Sequence, residues 1–377
     1  MKRSTMALAI TAALGISTVA QADTTLYGSA RVSVDWTKPN YNSRVANTFF
    51  GGNKDNQSLQ VVDDFSRLGV QGSEDLGSGI SAIYQYEFGV DVPGGDRYFY
   101  DNRPRWVGLK GDFGAITLGT QYTPFYNVIG YTDNFESSKS FDYYLGGNTI
   151  LNLPTLSNKG NAQLRLGSSV VYTTPEWQGL SAQGLVEMNG TAGPNNVDDW
   201  QANMTYKNGP WFVGAVFENT RDVVADELVD AVATENKTKT KQYGALIGWD
   251  NKTFSLTGSW QQYNPDDKVN AFIVDDTFYP GQHKVNDYTV QGQYYFTGNN
   301  VLRLTYSYMK FDNVNTKVNY VEAGLEHNLS KRTFLWVEYL YSKNNLDNNK
   351  LSVDTGPTPH YGDPSTNIVS VGVRHDF

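Results

Sequence analysis

The chain has 377 residues, with 30 Lys or Arg against 39 Asp or Glu for a formal charge of −9, and it contains no cysteine. That acidity makes nucleic acid a poor partner, and the lack of cysteine rules out disulfide staples and thiol chemistry. Hydrophobic residues reach only 39%, yet aromatics make up 14%, including 25 Tyr and 8 Trp, which suits a wall with one wet face and an aromatic girdle at a membrane–water boundary.

The first element is a leader. Lys2 and Arg3 form a short basic region, residues 6–19 an apolar run, and Ala20-Gln21-Ala22 a small-residue cleavage site. We expect export with cleavage before Asp23, so residues 1–22 are a signal peptide and 23–377 a single domain. Loss of Lys2 and Arg3 leaves the remainder two charges more negative. Beyond Ala22 nothing approaches the ~18 consecutive apolar residues of a membrane helix.

From Asp23 onward the chain is a series of segments of about ten residues with period-two alternation. In the first, Leu26, Ala30, Val32, Val34 and Trp36 share one face, and Tyr27, Ser29, Arg31, Ser33 and Asp35 the other. Near the middle, Trp200, Ala202, Met204 and Tyr206 oppose Gln201, Asn203, Thr205 and Lys207; later, Tyr288, Val290, Tyr294 and Phe296 oppose Thr289, Gln291, Gln293 and Tyr295. The last segment places Val369, Val371, Val373, His375 and Phe377 together, against Ser370, Gly372, Arg374 and Asp376.

A soluble sandwich would alternate in the same way, so the connections decide. Short turns fall at 75–79, 112–114, 174–179, 208–210, 250–252, 297–300 and 328–332. Between them lie longer polar stretches at about 37–63, 91–102, 123–162, 189–199, 219–241, 263–286, 310–317 and 343–365. Fifteen connections predict sixteen strands in an all-β, antiparallel transmembrane β-barrel, with fourteen or eighteen as the alternatives. A barrel of this width leaves an aqueous channel.

Signals for chemistry are absent. No Gly-x-Ser-x-Gly elbow, His-Glu-x-x-His pair or Gly-rich phosphate loop occurs, and His283, His327, His360 and His375 are scattered. Asp63–Asp64 and Asp266–Asp267 read as solvated loop charge. We therefore expect no enzyme, no cofactor and no metal. An outer-membrane hydrolase and a secreted binding module are the rivals in class.

Several segments carry a resemblance. Phe65-Ser66-Arg67-Leu68-Gly69-Val70-Gln71-Gly72-Ser73-Glu74-Asp75-Leu76-Gly77 resembles the second-strand signature of Gram-negative general diffusion porins. Asn328-Leu329-Ser330-Lys331-Arg332-Thr333 looks like their late periplasmic turn, and Gly372-Val373-Arg374-His375-Asp376-Phe377 is similar to their closing strand. Leu26-Tyr27-Gly28 and Val107-Gly108-Leu109-Lys110-Gly111 also match. The resemblance implies a homotrimer of sixteen-stranded barrels in the outer membrane, in contact with its lipid and lipopolysaccharide. It also implies a third external loop folded inward and a terminal Phe377 that the barrel assembly machinery reads.

The stretch 123–162 sits where that loop belongs, and Gly130-Tyr131-Thr132-Asp133 matches the start of the family's constriction loop. The resemblance thus assigns Asp133, Glu136 and Asp142 to the acidic side of a narrowing. It assigns Arg67, Arg103 and Arg165 to the basic wall opposite, and parity adds Arg31 and Arg105 as inner-facing. Passive passage of ions and small hydrophilic solutes is the function this implies, with a weak lean to cations because acidic external loops oppose the basic wall. A substrate-selective porin for anions or sugars is the alternative.

Overall fold

The computed structural model describes residues 23–40, 57–94, 99–100, 103–135, 164–188, 190, 196–223, 237–265, 272–274, 277–279, 284–312, 316–344 and 365–377. Its main sheet contains sixteen barrel strands, two of them interrupted. The first eight are β1 (Asp23–Asn40), β2 (Ser58–Asp63 and Arg67–Gly77), β3 (Ile80–Val90), β4 (Phe99–Tyr100 and Arg105–Gly111), β5 (Gly114–Tyr122), β6 (Arg165–Thr173), β7 (Leu180–Met188) and β8 (Val197–Asn208). The others are β9 (Trp211–Val223), β10 (Lys237–Asp250), β11 (Phe254–Pro265), β12 (Val285–Tyr295), β13 (Asn300–Phe311), β14 (Thr316–Asn328), β15 (Thr333–Asn344) and β16 (Ser365–Asp376). A separate hairpin, Phe272–Val274 with Thr277–Tyr279, lies in the connection between β11 and β12.

Every strand pairs antiparallel with its chain neighbour, and β1 closes the ring. On one edge Val32 faces Asp63 of β2; on the other it faces Val373 of β16. Closure leaves no open sheet edge, which is what lets a strand wall stand in hydrocarbon with its ladder groups paired. The last rung is double: Phe377 N–H donates to Gly28 O and Gly28 N–H to Phe377 O, both at 3.1 Å.

The two faces divide as alternation predicts. Leu26, Val34, Trp200, Met204, Tyr288, Val290, Val371 and Phe377 are exposed, facing lipid. Ser33, Asp35, Gln201, Asn203, Thr289, Gln291 and Ser370 are buried on the inner side. Short turns hold by side-chain capping. Asp250 Oδ1 accepts from Lys252 N at 2.7 Å, and Ser330 Oγ accepts from Arg332 N and Thr333 N at 3.1 and 3.0 Å.

Two interruptions shape the lumen. Ser29 faces Arg67 and Val32 faces Asp63, so two residues of β1 oppose three of β2. This bulge puts Phe65 at φ 64°, a conformation disfavoured for an aromatic residue, and Ser66 repairs the ladder. The Ser66 hydroxyl accepts from Arg31 N at 2.8 Å and donates to Arg31 O at 3.0 Å. In β4, Pro104 has no N–H to offer, and strand pairing resumes only at Arg105, opposite Tyr86.

Candidate functional site

The bulge and the Pro104 break bring four arginines together. Arg31, Arg67, Arg103 and Arg165 come from β1, β2, the β4 interruption and β6, and all line one cavity of about 380 Å³. Glu87 of β3 organises two of them: Arg103 Nη1 lies 3.3 Å from its Oε1, and Arg67 Nε 3.9 Å from its Oε2. Arg103 and Glu87 are only 2% and 4% exposed, so each neutralises a charge that water does not reach. Arg103 Nη2 also donates to Phe65 O at 2.7 Å, tying the bulge to the pair. Behind Glu87 runs a relay of donors: Tyr27 Oη donates to Glu87 at 2.9 Å, Gln85 to Tyr27 at 2.7 Å, and Trp106 to Gln85 at 3.0 Å. Arg165 lies over the Tyr122 ring at 5.0 Å, and Tyr122 stacks on Tyr126 at 5.0 Å.

Residues 123–135 face this wall. Thr123 caps a short helix, α1 (Pro124–Ile129), its hydroxyl accepting from Tyr126 N at 3.0 Å with Pro124 in the first turn. The helix lies on inner-facing side chains: Gln201 Oε1 accepts from Phe125 N at 3.0 Å, and Asn203 Nδ2 donates to Pro124 O at 2.8 Å. Phe125, Val128 and Ile129 are buried against Val216 and Leu246, with Phe212 beside them. Farther on, Gln291 donates to Tyr131 O, and Asn134 donates to Leu304 O at 3.3 Å. A single helical turn of Gly130–Thr132 then delivers Asp133 to the arginine cavity.

A polar lumen with four arginines and a carboxylate gathered at one cavity is the arrangement of a solute channel. Comparison with known proteins decides the family: the profile described as Gram-negative porin matches residues 7–348. The chain is a Gram-negative porin. It resides in the outer membrane as a closed sixteen-stranded barrel and forms a water-filled channel. Over 384 residues, spanning 100% of both chains, it is 29% identical to the major outer membrane protein P.IB of Neisseria meningitidis serogroup B. The anion-selective porin from Comamonas acidovorans superposes with a TM-score of 0.70 at 21% identity, covering 95% of this chain and 100% of that one. The trimer form of OmpT, an outer membrane protein of Vibrio cholerae, gives 0.59 at 16% identity, covering 94% and 99%.

In this porin Arg31, Arg67, Arg103, Arg165 and Asp133 meet at one cavity. Arg105 does not. It stands opposite Tyr86 and shares the outward face with Val107 and Leu109, so its assignment to the lumen is corrected. Parity across 103–105 fails because the Pro104 break changes which residues face inward. Glu136 and Asp142 lie outside the described residues. Sequence reasoning misses three features. Glu87 is one, although its inner parity is legible. The second is α1, announced by Thr123-Pro124. The third is an acidic group on the far wall, where Glu187 faces Asp199 and Gln201 faces Glu218, all four buried.

Proposed function

We propose that this porin passes small hydrophilic solutes by diffusion through a lumen narrowed between the arginine wall and the inward-folded third external loop, and that it works as a homotrimer after removal of residues 1–22. The gathering of four arginines and Asp133 around one cavity carries this reading. Two unit charges about 7 Å apart interact by about 0.6 kcal/mol in bulk water and about 2.4 kcal/mol at an effective dielectric near 20. Energies of that size bias an ion without trapping it.

The sign follows from the same cavity. Its lining carries four cationic side chains and one carboxylate, and cations stay in excess with Arg103 neutralised by the buried Glu87, so we propose a weak preference for anions, in place of the cation lean drawn from the acidic loops. Purified protein in a planar bilayer is expected to give step conductances in groups of three, with a reversal potential of anion-preferring sign in a salt gradient. A protein that produces no steps would not be a channel; single steps would remove the trimer.

Phe377 is proposed as the signal read by the assembly machinery. Deleting it also removes the double rung with Gly28. The truncated chain is expected to reach the outer membrane in much smaller amount, yet to fold from denaturant into detergent. Equal membrane levels, measured by immunoblot of outer-membrane fractions, would count against the signal role.

A further inference from the structure

On the inner face of β9 and β10 the side chains depart from the polar rule of a wet lumen. Glu218 faces Gln242 and Thr220 faces Thr240, as expected. The next three inner rows are Val216 with Gly244, Gly214 with Leu246, and Phe212 with Gly248, each pairing a bulky apolar residue with a glycine. Gly214 and Gly244 lie under α1, and Gly324 of β14 lies under Phe135. None of these three is at positive φ, so backbone conformation does not call for glycine there. Space does. A Cβ on Gly244 would meet Ile129 Cδ1 and Val216 Cγ1, each at 2.8 Å. One on Gly214 would meet Val128 Cγ1 at 3.0 Å, and one on Gly324 would meet Phe135 Cε1 at 2.5 Å.

We propose that Gly214, Gly244 and Gly324 are positioning residues of the constriction, sockets in the barrel wall that receive Val128, Ile129 and Phe135 and thereby set how far the inserted segment stands into the lumen. Glycine inside a strand weakens it and marks a place where another part of the chain approaches closely. Three such places lie along one segment of residues 128–135, at sites on β9, β10 and β14, within a run of six of the sixteen strands. Val128 and Ile129 are 0% and 1% exposed, so the seat is dry although the channel is wet. A dry, close-packed seat tolerates no extra volume without a shift. A wider residue at a socket must therefore move the segment toward the arginine wall. The inference rests on the proposed reading that this segment narrows the channel.

The test is single-channel conductance and the largest neutral sugar that passes in liposome swelling, with gel heat-stability as the folding control. Gly244→Val is expected to lower both conductance and size limit. Ile129→Ala placed in that background restores the packed volume and should bring both back toward the wild-type values, a rescue that a mere barrel defect would not show. Should Gly244→Val fail to insert, Gly244→Ala with Ile129→Val as its partner is measured instead. Wild-type conductance and size limit in a folded socket variant would overturn the inference. A wild-type protein that does not conduct at all would overturn the channel reading beneath it.

Discussion

Changing Arg67 and Arg165 together to glutamine is expected to shift the reversal potential toward cations. These two are chosen for where they stand. Both line the cavity shared with Asp133, whereas Arg103 is almost fully buried and is committed to Glu87 and the Phe65 carbonyl. At about 7 Å from a passing ion, each removed charge changes the local energy by about 0.6 to 2.4 kcal/mol, which is about 3-fold to 50-fold in anion occupancy. A water-filled lumen lies toward the lower end. Because the Debye length is about 10 Å at 0.1 M and about 3 Å at 1 M, the shift should be large in dilute salt and shrink in concentrated salt. Arg105→Gln serves as the control, since that side chain is on the outer face beside Tyr86, and it should leave the potential unmoved. A double variant that conducts with the wild-type reversal potential would mean that the selectivity lies elsewhere.

The barrel could be read from the chain because its physics is periodic. Lipid outside and water inside force a two-residue alternation, and turns such as 250–252 and 328–332 carry Asp, Asn and Ser that cap their own backbone. Where the period breaks, reading by parity fails. Arg103 and Arg105 are two residues apart yet face opposite ways, because Pro104 interrupts the ladder. The bulge at residues 64–66 is a similar break, and its partner Arg31 keeps its inner face only because β1 itself runs through unbroken. The acidic group on β7–β9 is hidden for a different reason. Each of its members is an ordinary inner-facing polar residue, and only cross-strand register brings Glu187 to Asp199 and Gln201 to Glu218. Inner-facing Phe212, Val216 and Leu246 are the clearest unused signal: an apolar side chain on the wet side implies something covering it.

Glu87→Ala is expected to destabilise the barrel more than any single arginine change in the cavity. Glu87 meets Arg103 at 3.3 Å and Arg67 at 3.9 Å and accepts from Tyr27 at 2.9 Å, so its loss leaves three donors facing a gap. Arg103 suffers most, because a cation that stays buried after its partner is removed costs about 3–5 kcal/mol. Arg67 has an easier escape, being about a quarter exposed, and turns to water. The double variant Glu87→Ala with Arg103→Met separates these terms. If the buried pair is the origin of the loss, the double variant should be more stable than Glu87→Ala alone, since no charge is then stranded. Some deficit should persist, because Phe65 O loses the 2.7 Å bond that braces the bulge at its positive φ. Denaturant midpoints of the detergent-folded protein measure Glu87→Ala, Arg103→Met and the double variant. Strictly additive losses would show that Glu87 and Arg103 are not coupled, and the basic wall would then have to be held in place by the bulge and not by its buried carboxylate.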